Sequence, residues 1–182
     1  PGQMGRLGTI MEQHNLGAED MLELTWDNEA ANLASTLART CQFEHGHILD
    51  KNGKQFGQNI ASKMSTVLST ARTTFDDWMK DMVKSWFDEV KLYTFGSGYS
   101  ESTGHYTQMV WGNNNKLGCG YSYFKTHYEG TEYNAGYLVC NYKPGGNVKG
   151  QLKPYKEGQG SCTARNLETS NQYPHLCIRK KK

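Results

Sequence analysis

Two stretches, GCGYSYF (residues 118–124) and YLVCNY (residues 137–142), predict two neighbouring strands of a β-sheet. Aromatic and β-branched residues favour strands, and tyrosine is frequent in both stretches. Each also carries one cysteine, Cys119 in the first and Cys140 in the second, as two adjacent disulfide-linked strands would. Residues 106–111 have the same character and predict a further strand. The sequence therefore predicts a β-sheet built around these stretches.

Two helices are predicted ahead of these strands. Apolar residues recur at helical spacing in residues 27–43, where Asp27 or Thr25 can cap the start. A stronger helix is predicted at residues 73–91, whose broad apolar stripe indicates core packing. Glu89 lies at the edge of that stripe, where a carboxylate needs a partner. Helices combined with strands in this order are typical of an α+β fold.

Composition limits the classes of function that the chain can serve. The 182 residues are 36% hydrophobic and 21% charged, which indicates one globular domain. A net charge of +2 gives no reason to expect a nucleic-acid partner. The sequence lacks the run of about 18 apolar residues that a membrane-spanning helix needs. The one basic cluster, residues 179–182, is either a solvated tail or a contact with an anionic surface.

The five cysteines favour an oxidising, extracellular environment. None falls in a Cys-x-x-Cys pair, so a zinc ribbon or redox motif is not predicted. Cys162 and Cys177 bracket a polar stretch with few apolar residues to hold it together. A disulfide there closes a loop of about 15 residues. By restricting the unfolded chain, it raises the free energy of unfolding by about 3 kcal/mol. Cys41 is left over and needs a separate explanation.

Two motifs resemble those of the CAP superfamily, which comprises cysteine-rich secretory proteins, antigen 5 and pathogenesis-related proteins. The first is GHYTQMVW (residues 104–111), and the second is YLVCNY (residues 137–142), continuing through Pro144, Gly146 and Asn147. Within the superfamily the chain is most similar to invertebrate venom allergen-like proteins. Supporting pieces occur in the expected order at residues 24–27, 41–45, 57–61, 86–90 and 118–120.

The resemblance implies a three-layer α-β-α sandwich with a central antiparallel sheet, stapled by disulfides. It assigns residues 1–147 to the CAP domain, which lacks the family's first helix, and residues 148–182 to a short disulfide-pinned C-terminal extension. In antigen 5 relatives the cysteine that matches Cys41 bonds to one upstream of that first helix. Cys41 is therefore expected either to have lost its partner or to be a buried free thiol.

The resemblance also places a cleft at His45, Gln58, Glu89 and His105. Two imidazoles and a carboxylate can hold a divalent ion, so His45, Glu89 and His105 are expected to bind zinc or another divalent cation. The family has a glutamate where this chain has Gln58. A neutral amide exchanges hydrogen bonds but cannot act as a base or balance metal charge. His47 is interpreted as a solvated loop residue.

Lipids are the ligands that the resemblance implies. Relatives bind sterols at an aromatic loop beside the cleft, which here is residues 93–104 with Tyr93, Phe95 and Tyr99 as the ligand-binding residues. Fatty acids in relatives occupy a channel between two helices, one of which this chain is expected to lack.

We therefore expect a secreted lipid-binding protein, with modulation of host immunity as a further role, and not an enzyme. Ser100, Ser102 and Thr103 precede His105, but such a cluster is ordinary loop chemistry rather than a nucleophile beside a base. Two alternatives remain open. One is a host-protein interaction module, such as an allergen or immune modulator, that carries no lipid. The other is a zinc-dependent hydrolase.

Overall fold

The central sheet contains four strands in the order β1-β3-β4-β2. The computed structural model describes residues 17–19, 21–158 and 161–180, so the loop expected at residues 1–24 lies mostly outside the described residues. Strands β2, β3 and β4 are antiparallel, whereas the two-residue β1 pairs parallel with β3. The predicted antiparallel sheet is thus confirmed for its three long strands, and the short β1 makes the sheet mixed. The strands are β1 (Thr25–Trp26), β2 (Gly57–Ser65), β3 (Lys116–Tyr128) and β4 (Thr131–Lys143).

Strands β3 and β4 form one long hairpin of 13 residues on each side. Glu129 and Gly130 make its turn, both at positive φ (48° and 79°), as a two-residue hairpin turn requires. This register sets Cys119 opposite Cys140, and the two form a disulfide. The two neighbouring strands that the sequence predicts are therefore present, and each is longer than its predicted stretch.

Helices cover both faces of the sheet and complete the predicted α-β-α sandwich. The helices are α1 (Asn28–Ala38), α2 (Ala71–Asp88) and α3 (Gly104–Met109). Ala34 and Ala38 of α1 pack on Ile60, Tyr137 and Val139 of the sheet. On the other face, α2 and α3 form the larger core, which includes Met82, Trp86, Met109, Leu138 and Tyr142. Alternate residues of each strand face opposite sides, so one sheet supports two cores.

Glycines on β3 let α1 approach the sheet closely. A Cβ atom at Gly118 would lie 2.1 Å from the backbone nitrogen of Ala31, and one at Gly120 would lie 2.3 Å from that of Ser35. Helix α1 therefore rests directly on the strand backbone. Asp27 caps the helix by accepting a hydrogen bond from the Ala30 N–H at 2.8 Å, which settles the choice between Asp27 and Thr25.

Three local predictions are corrected. Residues 104–109 form helix α3, not the start of a strand. Tyr106, Thr107, Gln108 and Met109 are all buried, and a short segment buried all round shows no period that separates helix from strand. Helix α1 ends at Ala38, five residues before the predicted end. Helix α2 begins at Ala71 and ends at Asp88, where a 3₁₀ turn (Glu89–Leu92) follows.

Strand β2 has no counterpart among the predicted elements. Its sequence GQNIASKMS contains one β-branched residue and no aromatic residue, so its strand propensity is weak. It forms nine consecutive pairs with β4. Pairing with a long, strongly predicted strand therefore overrides local propensity here.

The C-terminal region packs onto the main core. A two-stranded sheet of β5 (Leu167–Thr169) and β6 (Cys177–Arg179) is closed by the Cys162–Cys177 disulfide. Tyr173 and Leu176 belong to the larger core cluster. Cys41, in contrast, is an exposed free cysteine, so the buried-thiol interpretation is wrong. Among the described residues, no helix is long and apolar enough to cross a membrane.

Candidate functional site

The candidate site is a cleft of about 720 Å³ along the edge strand β2. His45 reaches it from the loop after α1, and His105 reaches it from the first turn of α3. Gln58 and Asn59, adjacent on β2, also line it. Because neighbouring strand residues point to opposite faces, Gln58 contacts His45 while Asn59 contacts the backbone of His105.

Glu89 holds His105 in place. Its Oε1 lies 2.6 Å from Nδ1 of His105, and its Oε2 accepts a hydrogen bond from the Tyr106 N–H at 3.0 Å. The Trp86 ring stacks on the imidazole at a centroid distance of 6.0 Å. His105 is thus the partner that Glu89 was predicted to need at the edge of the buried stripe. With Nδ1 directed at a carboxylate, the other ring nitrogen of His105 is left for a ligand.

Gln58 orients His45 in the same manner. Its Oε1 lies 3.0 Å from His45 Nδ1 and also accepts a hydrogen bond from the Gly46 N–H at 3.0 Å. Its Nε2 donates to Asn141 Oδ1 at 2.9 Å, which fixes the amide orientation. His45 Nδ1 must therefore carry the proton, leaving Nε2 with its lone pair. Gln58 thus serves as a hydrogen-bond acceptor for His45 and carries no charge.

The structure does not assemble His45, Glu89 and His105 as a three-residue ligand set. In the described part of the chain, no three His, Cys, Asp or Glu side chains are grouped so that they could hold a metal ion. Both oxygens of Glu89 are hydrogen-bonded, Oε1 to the His105 ring and Oε2 to the Tyr106 N–H. The cleft therefore offers a cation two imidazole nitrogens, one from His45 and one from His105. Gln58 and Glu89 contact the other nitrogen of these two rings. His47 is exposed, as expected of a solvated loop residue.

The aromatic loop divides into a packed part and an exposed part. Tyr93 packs on Tyr106 at a centroid distance of 5.4 Å, and Phe95 packs on Tyr155 at 4.9 Å. Tyr99 is 62% exposed and lines the cleft. Of the three predicted ligand-binding residues, only Tyr99 therefore offers its ring to a ligand without displacing an internal contact.

The hydroxyls ahead of His105 do not form a nucleophile–base pair with it. Ser100 Oγ and Ser102 Oγ lie 2.9 Å apart and hydrogen-bond to each other. Thr103 is buried at the start of α3. The hydrogen-bonded base that a serine or threonine nucleophile requires is not found among the described residues.

Three polar residues of the site were not singled out from the sequence. Asn59, Gln108 and Asn141 are each at most 2% exposed. Asn141 accepts from Gln58 and donates to the carbonyl of Ala30 at 3.1 Å, which ties the cleft to α1. Gln108 Oε1 accepts from the Gly146 N–H at 3.0 Å and fixes the cleft floor. All three lie inside the quoted motifs, but only the fold shows which polar residues are buried.

A three-layer α-β-α domain with a paired-histidine cleft at its sheet edge defines the structural class of this protein. Residues 17–142 match the model of the CAP family, described as the cysteine-rich secretory protein family. The chain belongs to this family.

Curated relatives are salivary and venom proteins of insects. The chain is 57% identical over 165 residues to salivary antigen-5 of Dipetalogaster maximus, covering 91% of this chain and 64% of the relative. It is 49% identical over 175 residues to salivary antigen-5 of Triatoma infestans, covering 94% and 70%. It is 40% identical to venom allergen 5.01 of Dolichovespula maculata, covering 71% and 55%. The chain thus spans only part of each relative's length.

Solved structures show the same fold. BmVAL-1 superposes with a TM-score of 0.71 at 24% identity, covering 99% of this chain and 91% of that one. NaASP2, solved with Zn²⁺, superposes with a TM-score of 0.68 at 25% identity, covering 94% and 90%. The prediction of a CAP protein similar to venom allergen-like proteins is confirmed.

Proposed function

We propose that this chain is a secreted, non-catalytic binding protein of the antigen 5 type, and that its ligand is a sterol-like lipid at the rim of the cleft. The observation that carries the proposal is an apolar rim, formed by Tyr99, Val148 and Leu152, beside a polar cleft. These side chains are 62%, 46% and 61% exposed. A ligand with a rigid apolar body and one polar end matches this arrangement.

Backbone contacts hold the apolar rim together. The Gly98 N–H donates to the carbonyl of Leu152 at 3.0 Å, which joins the aromatic loop to the segment after β4. Tyr99 and Val148 both line the cleft, while Tyr99 and Leu152 share the depression next to it. A lipid lying on the rim would cover apolar side chains that are now in water. This burial would contribute about 25 cal/mol of binding free energy for each Å² of apolar surface.

Secretion is supported by two observations. The relatives are salivary and venom proteins by name, and two disulfides staple the fold. Disulfides persist in oxidising compartments and are rare in the cytosol.

Replacing both Tyr99 and Leu152 with alanine is expected to weaken cholesterol binding at least tenfold. Burial of each side chain by a ligand is worth about 1.5 kcal/mol or more, and their loss removes most of the rim. Binding is measured by titration with radiolabelled cholesterol in detergent-free buffer. Tyr128→Ala is the matched control, because this tyrosine is 55% exposed at the far end of the hairpin. Equal cholesterol affinity in the double variant and the wild type would refute the rim as the sterol site.

We also propose that zinc or another divalent cation is held by the Nε2 atoms of His45 and His105. Glu89 and Gln58 accept the Nδ1 protons, the arrangement that fixes the tautomer of metal-binding histidines. Zinc so placed would add positive charge to the polar end of the cleft and attract a polar ligand group. Two protein ligands are fewer than the three or four usual for zinc, so we expect weak affinity.

Changing Gln58→Glu is expected to tighten zinc binding about tenfold, the lower end of the effect of outer-shell partners. A carboxylate raises the basicity of the His45 ring and contributes a negative charge. Isothermal titration calorimetry with zinc chloride measures the change. Gln55→Glu is the control, since Gln55 lines the same cleft and gains the same charge. Equal gains in both variants would show a general charge effect and exclude a specific role of position 58.

A further inference from the structure

We propose that a second pocket, here called the basic pocket, binds a small anionic amphiphile, an organic carboxylate, sulfonate, sulfate or phosphate with an apolar body. The pocket has a volume of about 440 Å³ and adjoins the cleft across Gln55 and Phe56. This volume lies within the range of small-molecule sites. Its charged lining residues are Asp50, Lys54, Lys116, Lys143 and Arg179.

The one carboxylate of the basic pocket is already neutralised. Asp50 has a side chain only 1% exposed, and its Oδ2 lies 2.8 Å from Lys143 Nζ. Its Oδ1 accepts hydrogen bonds from the N–H groups of Asn52 and Lys54. The hydrogen bond to Lys143, followed by that from the Lys54 N–H, holds the pKa of Asp50 down at about 2. Asp50 and Lys143 therefore cancel each other at neutral pH.

Three cations remain without an acidic partner. In the described part of the chain, none of Lys54, Lys116 and Arg179 forms an ion pair. Lys116 Nζ donates only to the hydroxyl of Thr25, at 3.0 Å. Glu29 supplies a second carboxylate to Lys143, with its Oε2 lying 3.3 Å from Lys143 Nζ. The pocket thus keeps a net positive charge that its own surroundings do not balance.

The fold places two lysines of the basic pocket opposite each other in the sheet. Lys116 and Lys143 are directly opposite each other on β3 and β4, and like charges at such positions are destabilising. Lys143 is relieved by two carboxylates, whereas Lys116 is not. An anion in the pocket would supply the missing compensation. Three cations that line one cavity without an ion pair in the described part of the chain are the feature that points to an anionic ligand.

Arg179 connects the basic pocket to the basic C-terminal cluster. Arg179 ends β6, two residues after Cys177, so the Cys162–Cys177 disulfide fixes its position. Lys180, the next residue, donates to Asn166 Oδ1 at 2.9 Å. A guanidinium presents a planar fork that matches carboxylate and phosphate groups. For Arg179, the anionic contact is therefore favoured over the solvated tail.

The floor of the pocket selects for an apolar body. Phe56 is 5% exposed and Pro144 lies beside it. Lys143 Nζ sits 5.5 Å from the centroid of the Phe56 ring. An inorganic anion would use only the cations, whereas an amphiphile would also cover these apolar groups. Apolar surface adds to ligand affinity roughly in proportion to its buried area.

The test is a fluorescence titration with 8-anilinonaphthalene-1-sulfonate, a sulfonate with an aromatic body. We expect one saturable site in the wild type. We expect affinity at least tenfold weaker in Lys116→Gln/Arg179→Gln, and a smaller loss in Lys54→Gln, whose side chain is exposed and forms no ion pair with any described residue. Lys149→Gln/Lys156→Gln removes the same charge from two exposed lysines outside the pocket. That control variant is expected to stay within twofold of the wild type.

Three results would overturn the proposal. Equal losses in the two double variants would show only general charge attraction. Absence of saturable binding in the wild type would leave no site. Displacement of the probe by inorganic phosphate at concentrations equal to that of the probe would indicate a plain anion site without a role for the apolar floor. Cholesterol is expected not to displace the probe, which keeps this outcome separate from that of the sterol proposal.

Discussion

Replacing Gly120 with alanine is expected to destabilise the protein by about 3 kcal/mol, the upper end of the usual cost of overpacking. The new Cβ would lie 2.3 Å from the backbone nitrogen of Ser35, 2.4 Å from its Cα and 2.7 Å from the carbonyl carbon of Ala34. All three are main-chain atoms of α1 and cannot rotate away as a side chain would. Either the helix moves off the sheet or β3 bends.

Thermal unfolding followed by circular dichroism measures this effect. For a chain of this length, a 3 kcal/mol loss lowers the midpoint by roughly 6–12 °C. Gly17→Ala is the matched control, because a Cβ at Gly17 meets no atom within 4 Å. A melting temperature of Gly120→Ala that matches that of Gly17→Ala would refute the direct contact between α1 and β3.

The same substitution is expected to disturb the cleft. Helix α1 is tied to it through the carbonyl of Ala30, the side chain of Asn141 and the amide of Gln58. Displacement of α1 would break this chain of hydrogen bonds and release His45 from its fixed tautomer. Gly120→Ala should therefore weaken zinc binding even at temperatures where the variant is folded.

Removing the second disulfide by Cys162→Ser/Cys177→Ser is expected to cost about 3 kcal/mol, the chain-entropy value for a closed loop of 15 residues. The cysteines also pack with Leu22 and Leu167 in a small core cluster, so polar replacements add to the loss. The free energy of unfolding is measured by urea denaturation without reductant.

Cys41→Ser provides the control for this prediction. Cys41 is exposed and free in the described structure, so its substitution is expected to change stability by less than about 0.5 kcal/mol. If the double variant unfolds at the same urea concentration as Cys41→Ser, the C-terminal sheet does not depend on its disulfide. Loss of the disulfide should also loosen Arg179 and weaken binding of the anilinonaphthalene probe.

Sequence reasoning succeeded where local signals and the fold agree. Strands β3 and β4 are rich in aromatic residues and each carries one cysteine of a disulfide, so their pairing is confirmed. The α2 stripe is periodic and packs into the core as predicted. It failed at α3 and β2. Residues 106–109 of α3 are all buried and show no period, and β2 gains its strand conformation from nine pairs with β4.

The candidate site was predictable as a set of positions but not as a set of roles. The motifs predicted His45, Gln58, Glu89 and His105 in one region, and the structure places the two histidines and Gln58 along the cleft. The contacts of Glu89 with the His105 ring and the Tyr106 N–H depend on helix α3, which carries both groups.

The basic pocket shows most clearly what the sequence determined and what tertiary structure decided. The sequence by itself determined the family, the two disulfide-linked pairs and the chemistry of the cleft residues, since these depend on residue identity and short spacing. Only the tertiary structure places Lys54, Lys116 and Arg179 around one cavity, because they lie on segments up to 125 residues apart. The sequence shows how many charged residues there are and where they lie along the chain. A binding site requires these charges to lie close together in space, and this depends on how the chain folds.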